Sequence, residues 1–251
     1  MANTGTSEVN MRLGIDFNID IKGIIFPRRC PICDKILEFN GKLICEKCRN
    51  KLVYINEPRC KKCGKQLIKM EDEYCYDCKM KKHLYKEGAV PFMHIGEIKK
   101  SIYKIKYCNK REYIDFYADE VVNRYGSIIK DWNCDALIPV PLHRQRRLKR
   151  GYNQAEIIAD KCSKRLGIPV RKGILLRTKN TKPQKELNDM DRKKNLENAF
   201  KIGKNVVKLS KVILIDDIYT TGSTIDACAA VLLRSGIEEV YYVALSIGTG
   251  Y

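Results

Sequence analysis

Four C-x-x-C pairs near the start of the chain restrict its N-terminal quarter more than any other feature. They fall into two halves of identical spacing, C-x2-C-x11-C-x2-C, and the second half follows the first at an offset of thirty residues. Two such turns present four thiolates, which is the tetrahedral donor set that Zn²⁺ prefers. Because a segment this short has almost no hydrophobic core of its own, we expect it to fold around two zinc ions.

The repeat also predicts how the cysteines are shared between the two ions. We assign Cys30, Cys33, Cys45 and Cys48 to one ion and Cys60, Cys63, Cys75 and Cys78 to the other, with an interleaved pairing as the alternative. A redox motif would not need four copies, and iron–sulfur sites usually show denser spacing. Filled four-cysteine sites leave no open position for catalysis, so their role is structural or in recognition. The segment resembles a double zinc ribbon.

A second constraint is the stretch KVILIDDIYTTGST at residues 211–224. The apolar run from Val212 to Ile215 has strand length, and helix formers follow Thr224, which is typical of a buried parallel strand feeding a turn and a helix. Backbone N–H groups at such a helix start can hold a phosphate, and Gly222 lets the backbone approach it closely. The hydroxyls that could assist belong to Thr220, Thr221, Ser223 and Thr224.

Two adjacent carboxylates, Asp216 and Asp217, interrupt this stretch. Ionised carboxylates cannot donate hydrogen bonds to a phosphate, but they accept hydrogen bonds from sugar hydroxyls and are ligands for Mg²⁺. The chain has no G-x-x-x-x-G-K-S/T motif here, which excludes a Walker A site. Phosphate, vicinal hydroxyls and Mg²⁺ together describe a 5-phosphoribosyl group.

Over all fourteen residues the stretch resembles the signature motif of type I phosphoribosyltransferases. The resemblance implies an α/β fold, a parallel sheet with flanking helices, that binds phosphoribosyl pyrophosphate with Mg²⁺. In such a site Asp216 and Asp217 would hold the ribose and the ion. The 5-phosphate would lie against Thr220, Thr221, Gly222, Ser223 and Thr224.

A basic segment follows the predicted strand Asp135–Val140, and a helix is predicted from Gln154. A guanidinium cluster directly after a strand suits a highly charged phosphate leaving group. By the transferase resemblance this segment is the pyrophosphate loop, and its candidate residues are Arg144, Arg147, Arg150 and Gly151.

The same segment, PVPLHRQRRLKRGYNQA, resembles the pattern P-V-P-x-x-x-x-R-x-x-x-R-G-F/Y-N-Q of the competence protein F family. A polar stretch at 178–198, after a predicted strand Ile174–Arg177, matches that family again. Its place corresponds to the flexible catalytic loop of phosphoribosyltransferases, with Thr181, Gln184 and Arg192 as loop residues.

These motifs predict a division of the chain into three parts. Residues 1–27 form an N-terminal segment, 28–82 the double zinc ribbon, and 83–251 a phosphoribosyltransferase-like domain. Within the last part, residues 83–132 would be a helical hood or connector. Apolar residues three or four apart predict its helices at Gly96–Tyr107 and Tyr113–Ile129.

The chain carries 48 Lys and Arg against 30 Asp and Glu, a formal net charge of +18. Such an excess favours polyanion partners, although a low-GC coding bias would also produce lysine. Lysines of the second ribbon, together with Tyr74, Tyr76 and Tyr85, predict a face for single-stranded nucleic acid, with an ordinary solvated face as the alternative. These lysines are Lys61, Lys62, Lys65, Lys69, Lys79, Lys81 and Lys82.

No run of 18 apolar residues and no signal peptide stands out, so we expect a cytoplasmic protein without a membrane span. The competence protein F resemblance implies a role in natural transformation at the inner face of the membrane. There the protein would handle single-stranded DNA beside DNA-uptake helicase and processing proteins. The alternative is an active phosphoribosyltransferase of nucleotide salvage with a base acceptor. Because no residue is recognisable as a reader or a base for such an acceptor, we favour a ligand-binding DNA-uptake protein.

Overall fold

The computed structural model describes residues 27–38, 41–179, 198–203 and 208–248. Its main sheet contains strands β1 (Gly88–Ala89), β2 (Phe92–Met93), β3 (Ala136–Pro139), β6 (Lys211–Tyr219) and β7 (Glu239–Ile247). The strand order is β1, β7, β6, β3, with β2 also on β7. Every pairing in this sheet is parallel. The expected α/β class with a parallel sheet is confirmed.

Two further strands, β4 (Leu175–Arg177) and β5 (Phe200–Ile202), lie outside the main sheet. They pair with each other in antiparallel orientation. The strand predicted at Ile174–Arg177 therefore exists, but it belongs to a separate two-stranded sheet. These two strands flank the predicted flexible loop in sequence, and the loop residues Thr181, Gln184 and Arg192 lie outside the described residues.

Helices cover the sheet, and one short helix lies at the end of each zinc-binding half. The short helices α1 (Glu46–Arg49) and α2 (Tyr76–Met80) belong to the cysteine repeats. Both predicted hood helices are confirmed, as α3 (Gly96–Tyr107) and α4 (Tyr113–Asp131). The remaining helices are α5 (Arg144–Arg150), α6 (Gln154–Leu166) and α7 (Ser223–Arg234). No helix in the described ranges is long and apolar enough to cross a lipid bilayer.

The continuous apolar run of β6 is explained by burial on both faces of the sheet. Successive strand residues point to opposite faces. Ile213 and Ile215 therefore join a core cluster with α3, α4 and α6. Val212 and Leu214 join a second cluster with α7.

The two zinc-binding halves pack into these same two clusters. Ile32 and Ile44 of the first half lie in the cluster of α4, whereas Cys60 and Cys63 of the second half lie in the cluster of α7. The Tyr242 hydroxyl on β7 donates a hydrogen bond of 2.7 Å to the carbonyl of Cys63. The ribbons therefore contribute to the core of the larger domain, and the boundary at residue 82 stays a prediction.

The segment that connects the two halves lies along the outer side of β2. Tyr54 forms an antiparallel bridge with Phe92. The N–H of Met93 donates to the carbonyl of Val53 at 3.0 Å, and the N–H of Ile55 donates to the carbonyl of Pro91 at 2.9 Å. This connector thus covers one edge of the main sheet.

Candidate functional site

A cavity of about 450 Å³ opens where the parallel strands end. In open α/β sheets, ligands bind outside the carboxyl ends of the strands, so this is the expected place for a site. The chain after β2, β3 and β6 contributes to its wall, and α3, α5 and α7 close it. The lining side chains used below are His94, Lys99, Lys106, Tyr107, Arg146, Arg150, Gln154, Arg177, Asp216, Asp217, Thr220 and Thr224.

Asp217 is held by two other elements at the floor of the cavity. Its Oδ1 lies 2.8 Å from Nζ of Lys106 on α3. Its Oδ2 accepts a hydrogen bond of 2.6 Å from Nε2 of Gln154 on α6. The residue is 4% exposed, so these partners compensate a charge that would otherwise be costly to bury.

Asp216 carries the adjacent carboxylate and lines the same cavity. Burial, and then the neighbouring charge of Asp217, raise the pKa of Asp216 to about 7. The N–H of Asp217 donates a hydrogen bond of 2.8 Å to Oδ1 of Asp216. A cation or a hydroxyl donor placed in the cavity would favour the ionised carboxylate.

The turn after β6 separates its hydroxyl groups into two sets. Thr220 and Thr224 line the cavity. The hydroxyls of Thr221 and Ser223 lie 2.9 Å apart and are hydrogen-bonded to each other. Gly222 precedes the first residue of α7 with a φ of +76°, a conformation that favours glycine.

The chain that leaves the second ribbon holds this same helix start. Nδ1 of His83 lies 2.8 Å from Oδ2 of Asp226 in the first turn of α7. The N–H of Leu84 donates to Oδ1 of that residue at 3.0 Å. Nζ of Lys81 donates to the carbonyl of Thr221 at 3.2 Å. Sequence reasoning missed these contacts, because an acidic residue in a first helical turn is ordinary.

The predicted pyrophosphate loop is mostly the short helix α5. Arginine and lysine are good helix formers, and Gly151 ends the helix with a φ of +80°. Of the predicted arginines, Arg150 lines the cavity, whereas Arg147 pairs with both oxygens of Glu156 at 2.9 and 3.2 Å. Arg144 is not among the described residues that line the cavity. Arg146, which was not predicted, is among them.

The hood contributes side chains that sequence reasoning did not assign. His94 follows β2, and Lys99, Lys106 and Tyr107 lie on α3. Lysine and tyrosine recur along one side of α3, and this pattern could have indicated that the helix faces a site. Arg177, at the end of β4, also lines the cavity. In sequence this residue directly precedes the predicted flexible loop.

The eight paired cysteines form two compact groups, divided by halves as the repeat predicts. Within each group the Sγ atoms lie within 4.8 Å of one another. Cys33 and Cys45 are 3.8 Å apart at sulfur, and Cys63 and Cys75 are 3.6 Å apart. A tetrahedral zinc ion with Zn–S bonds of about 2.3 Å needs S···S distances of about 3.8 Å. Both donor sets therefore fit structural zinc.

The two zinc sites are expected to lose their ions at different rates. Cys33 of the first site is exposed, whereas Cys60, Cys63 and Cys75 of the second are buried. A colorimetric chelator should therefore release one equivalent of zinc quickly from the first site and one slowly from the second. Cys33→Ser should remove the fast phase and keep the slow one. Loss of the slow phase in that variant would contradict the assignment.

Comparison with known proteins adds independent information. A family model described as a double zinc ribbon domain matches residues 21–79. Competence protein F of Haemophilus influenzae is 42% identical over 108 residues, which are 42% of this chain and 47% of that protein. These similarities support the resemblance to the competence protein F family.

Other similar proteins carry related names. DNA utilization protein YhgH of Escherichia coli is 35% identical over 106 residues, covering 42% of this chain and 46% of that protein. Competence protein ComFC of Bacillus subtilis is 26% identical over 153 residues, covering 61% and 60%. The chain spans about half the length of the first two relatives named here. A purine phosphoribosyltransferase structure from Pyrococcus horikoshii is 15% identical with a TM-score of 0.34, covering 53% of this chain and 73% of that chain.

Proposed function

We propose that this protein binds a phosphoribosyl pyrophosphate-type ligand together with Mg²⁺ and serves DNA uptake in natural transformation. One observation carries the ligand proposal. A single cavity brings the paired carboxylates of β6 together with guanidinium groups of α5 and the start of α7. Carboxylates accept from sugar hydroxyls, and guanidinium groups bind phosphates, so the cavity has a partner for each part of such a ligand.

Each part of the ligand has named partners in the proposal. Asp216 and Asp217 hold the ribose and the Mg²⁺ ion, since this ion is usually bound by one or two carboxylates together with substrate phosphates. The turn from Thr220 to Thr224 holds the 5-phosphate. Arg150 and Arg146 hold the pyrophosphate, with Gly151 ending their helix.

The DNA role is supported by the similar proteins and by the charge. Similar proteins are named for competence and for DNA utilization. The formal net charge of +18 suits a partner rich in phosphate. We place the protein in the cytoplasm at the inner face of the membrane, with single-stranded DNA and DNA-uptake helicase or processing proteins as partners.

Isothermal titration calorimetry with phosphoribosyl pyrophosphate and Mg²⁺ tests the ligand proposal. We expect binding by the wild type and an affinity at least about 100-fold lower for Asp216→Asn/Asp217→Asn. A hydrogen bond to a charged group contributes about 1.5–3 kcal/mol, and this variant weakens two. Asp160→Asn on α6 is the matched control, because that carboxylate pairs with Lys172 outside the cavity. No binding by the wild type, or equal affinity for both variants, would contradict the proposal.

A transferase is the second candidate, because the cavity has more than the phosphoribosyl partners in its wall. His94 and Tyr107 of the hood also line it, and they would face an acceptor base. Pyrophosphate release from phosphoribosyl pyrophosphate on addition of a panel of bases would favour this activity. Binding without release would favour the ligand-binding role.

A further inference from the structure

A pair of exposed aromatic side chains lies beside the cavity on α3. Tyr103 and Tyr107 are 53% and 59% exposed, and their ring centroids are 4.7 Å apart. The same helix buries Ile98, Ile102 and Ile105, so its other side already supplies the core contacts. Packing within the described chain therefore does not account for the two tyrosines.

The short helix α5 continues this surface. The Arg150 guanidinium lies 5.4 Å from the centroid of the Tyr107 ring. Tyr152, just after α5, donates a hydrogen bond to the carbonyl of Ile105 on α3. The Arg111 guanidinium lies 4.2 Å from the Tyr152 ring. These contacts join the two helices into one surface, which we call the α3–α5 face.

The α3–α5 face is strongly basic. Helix α3 has the sequence GEIKKSIYKIKY, with four lysines and one acidic residue. Helix α5 has the sequence RQRRLKR, with five basic residues, no acidic residue and no buried side chain. Among these, Arg144 and Lys149 are exposed. Such a helix adds little to the core, so its composition points to an anionic partner.

The second ribbon, where a DNA-binding face was predicted, is different. Lys65 pairs with Asp77 and Lys79 pairs with Asp72, each at 2.5 Å, and Lys61 pairs with Glu73. Tyr85 is fully buried, so its prediction as a surface aromatic residue is wrong. Ion pairs also occupy Lys100, Lys106 and Arg147 on the α3–α5 face, so charge pairing does not separate the two surfaces. The difference lies in the aromatic residues, because the ribbon loses Tyr85 to the core whereas α3 presents the exposed pair Tyr103 and Tyr107.

We propose that the α3–α5 face is the surface that binds single-stranded DNA. This inference rests on the proposed DNA-uptake function and names the contact surface for its nucleic-acid partner. Lysine and arginine would contact phosphates while exposed tyrosines stack on bases, which is how proteins bind single strands without sequence preference. Stacking needs unpaired bases, so the two tyrosines favour a single strand over a duplex, a membrane or an acidic protein. Because Tyr107 and Arg150 also line the cavity, the strand passes along its mouth.

Fluorescence anisotropy with labelled oligothymidine tests the surface through residues that do not line the cavity. Tyr103→Ala should weaken binding about five- to tenfold, as expected for one lost stacking contact. Arg144→Glu/Lys149→Glu should reduce the slope of log K against log salt concentration by about 1.4, since each phosphate contact on a single strand contributes about 0.7. The matched controls on the second ribbon are Tyr76→Ala and Lys69→Glu/Lys82→Glu, which should leave affinity and slope unchanged.

The outcomes distinguish failure of the proposed DNA-binding surface from failure of the proposed function. Losses in the ribbon variants but not in the α3–α5 variants would overturn the surface while keeping DNA binding. Absence of oligothymidine binding by the wild type would overturn both the surface and the DNA role, whereas the calorimetric test of the ligand is unaffected. Tighter binding to duplex DNA or to phosphatidylglycerol vesicles than to oligothymidine would also overturn the proposal. All variants should keep the circular dichroism spectrum and melting temperature of the wild type, which shows that they are folded.

Discussion

Replacing Gly222 by alanine is expected to weaken binding of phosphoribosyl pyrophosphate tenfold or more, whereas Gly167→Ala leaves it unchanged. The two glycines have almost the same backbone conformation, with φ values of +76° and +78°. Alanine in this left-handed region costs about 1–2 kcal/mol at either position. Only their surroundings differ, so the pair isolates the effect of contacts.

At Gly222 a Cβ atom would lie 2.5 Å from the Tyr219 hydroxyl oxygen and 2.9 Å from Cε1 of His83. At Gly167 it would meet nothing within 4 Å. The turn before α7 must therefore shift in Gly222→Ala. A shift that breaks one charge-assisted hydrogen bond to the 5-phosphate would reduce the affinity by about tenfold or more.

Calorimetry and urea unfolding together check this prediction. Gly167→Ala should lose about 1–2 kcal/mol of unfolding free energy and keep its ligand affinity. Gly222→Ala should lose more unfolding free energy and bind weakly. Equal ligand affinity in the two variants would show that this turn does not hold the phosphate.

Cys60→Ser is expected to prevent stable folding of the whole described protein, in contrast to Cys108→Ser. Zinc binding in small structural sites contributes about 10–16 kcal/mol, which is comparable to the total stability of a domain, about 5–15 kcal/mol. Cys60 is fully buried in the same cluster as Val240 and Tyr242 of the central sheet. Cys108 is exposed and lies outside both four-cysteine groups.

Zinc content per chain, circular dichroism on heating and ligand calorimetry measure the outcome. Cys108→Ser should keep two zinc ions, the wild-type melting temperature and full ligand affinity. If Cys60→Ser is insoluble, a chelator titration of the wild type supplies the same information. Ligand binding should then disappear with the slowly released zinc and not with the fast one. A folded Cys60→Ser variant with wild-type affinity would contradict the coupling.

The features that sequence predicted well are those fixed by local chemistry. Zinc ligation follows from the spacing of cysteines, because each pair forms its own turn and the repeat shows which pairs belong together. The strand before Asp216 and the hydroxyl-rich turn after it are also local, since an apolar run and Gly222 specify them. The helices α3 and α4 follow from apolar periodicity.

The features that sequence did not predict depend on distant packing. Lys106 and Gln154 contact Asp217 only because α3 and α6 lie on the same face of the sheet. Similarly, His83 reaches Asp226 across 143 residues of sequence. The choice of Arg146 over Arg147 depends on the helical phase of α5, which a reading of the segment as a loop could not provide.

The connector between the zinc-binding halves has a consequence for solubility. A sheet edge with unpaired backbone groups is a template on which other chains can assemble. Here the backbone of Val53, Tyr54 and Ile55 occupies the outer side of β2. A four-cysteine cluster lies at each end of the connector, so zinc bound in these clusters would hold the connector against this edge. We therefore expect loss of zinc to uncover this sheet edge and to promote aggregation, independently of any ligand or DNA.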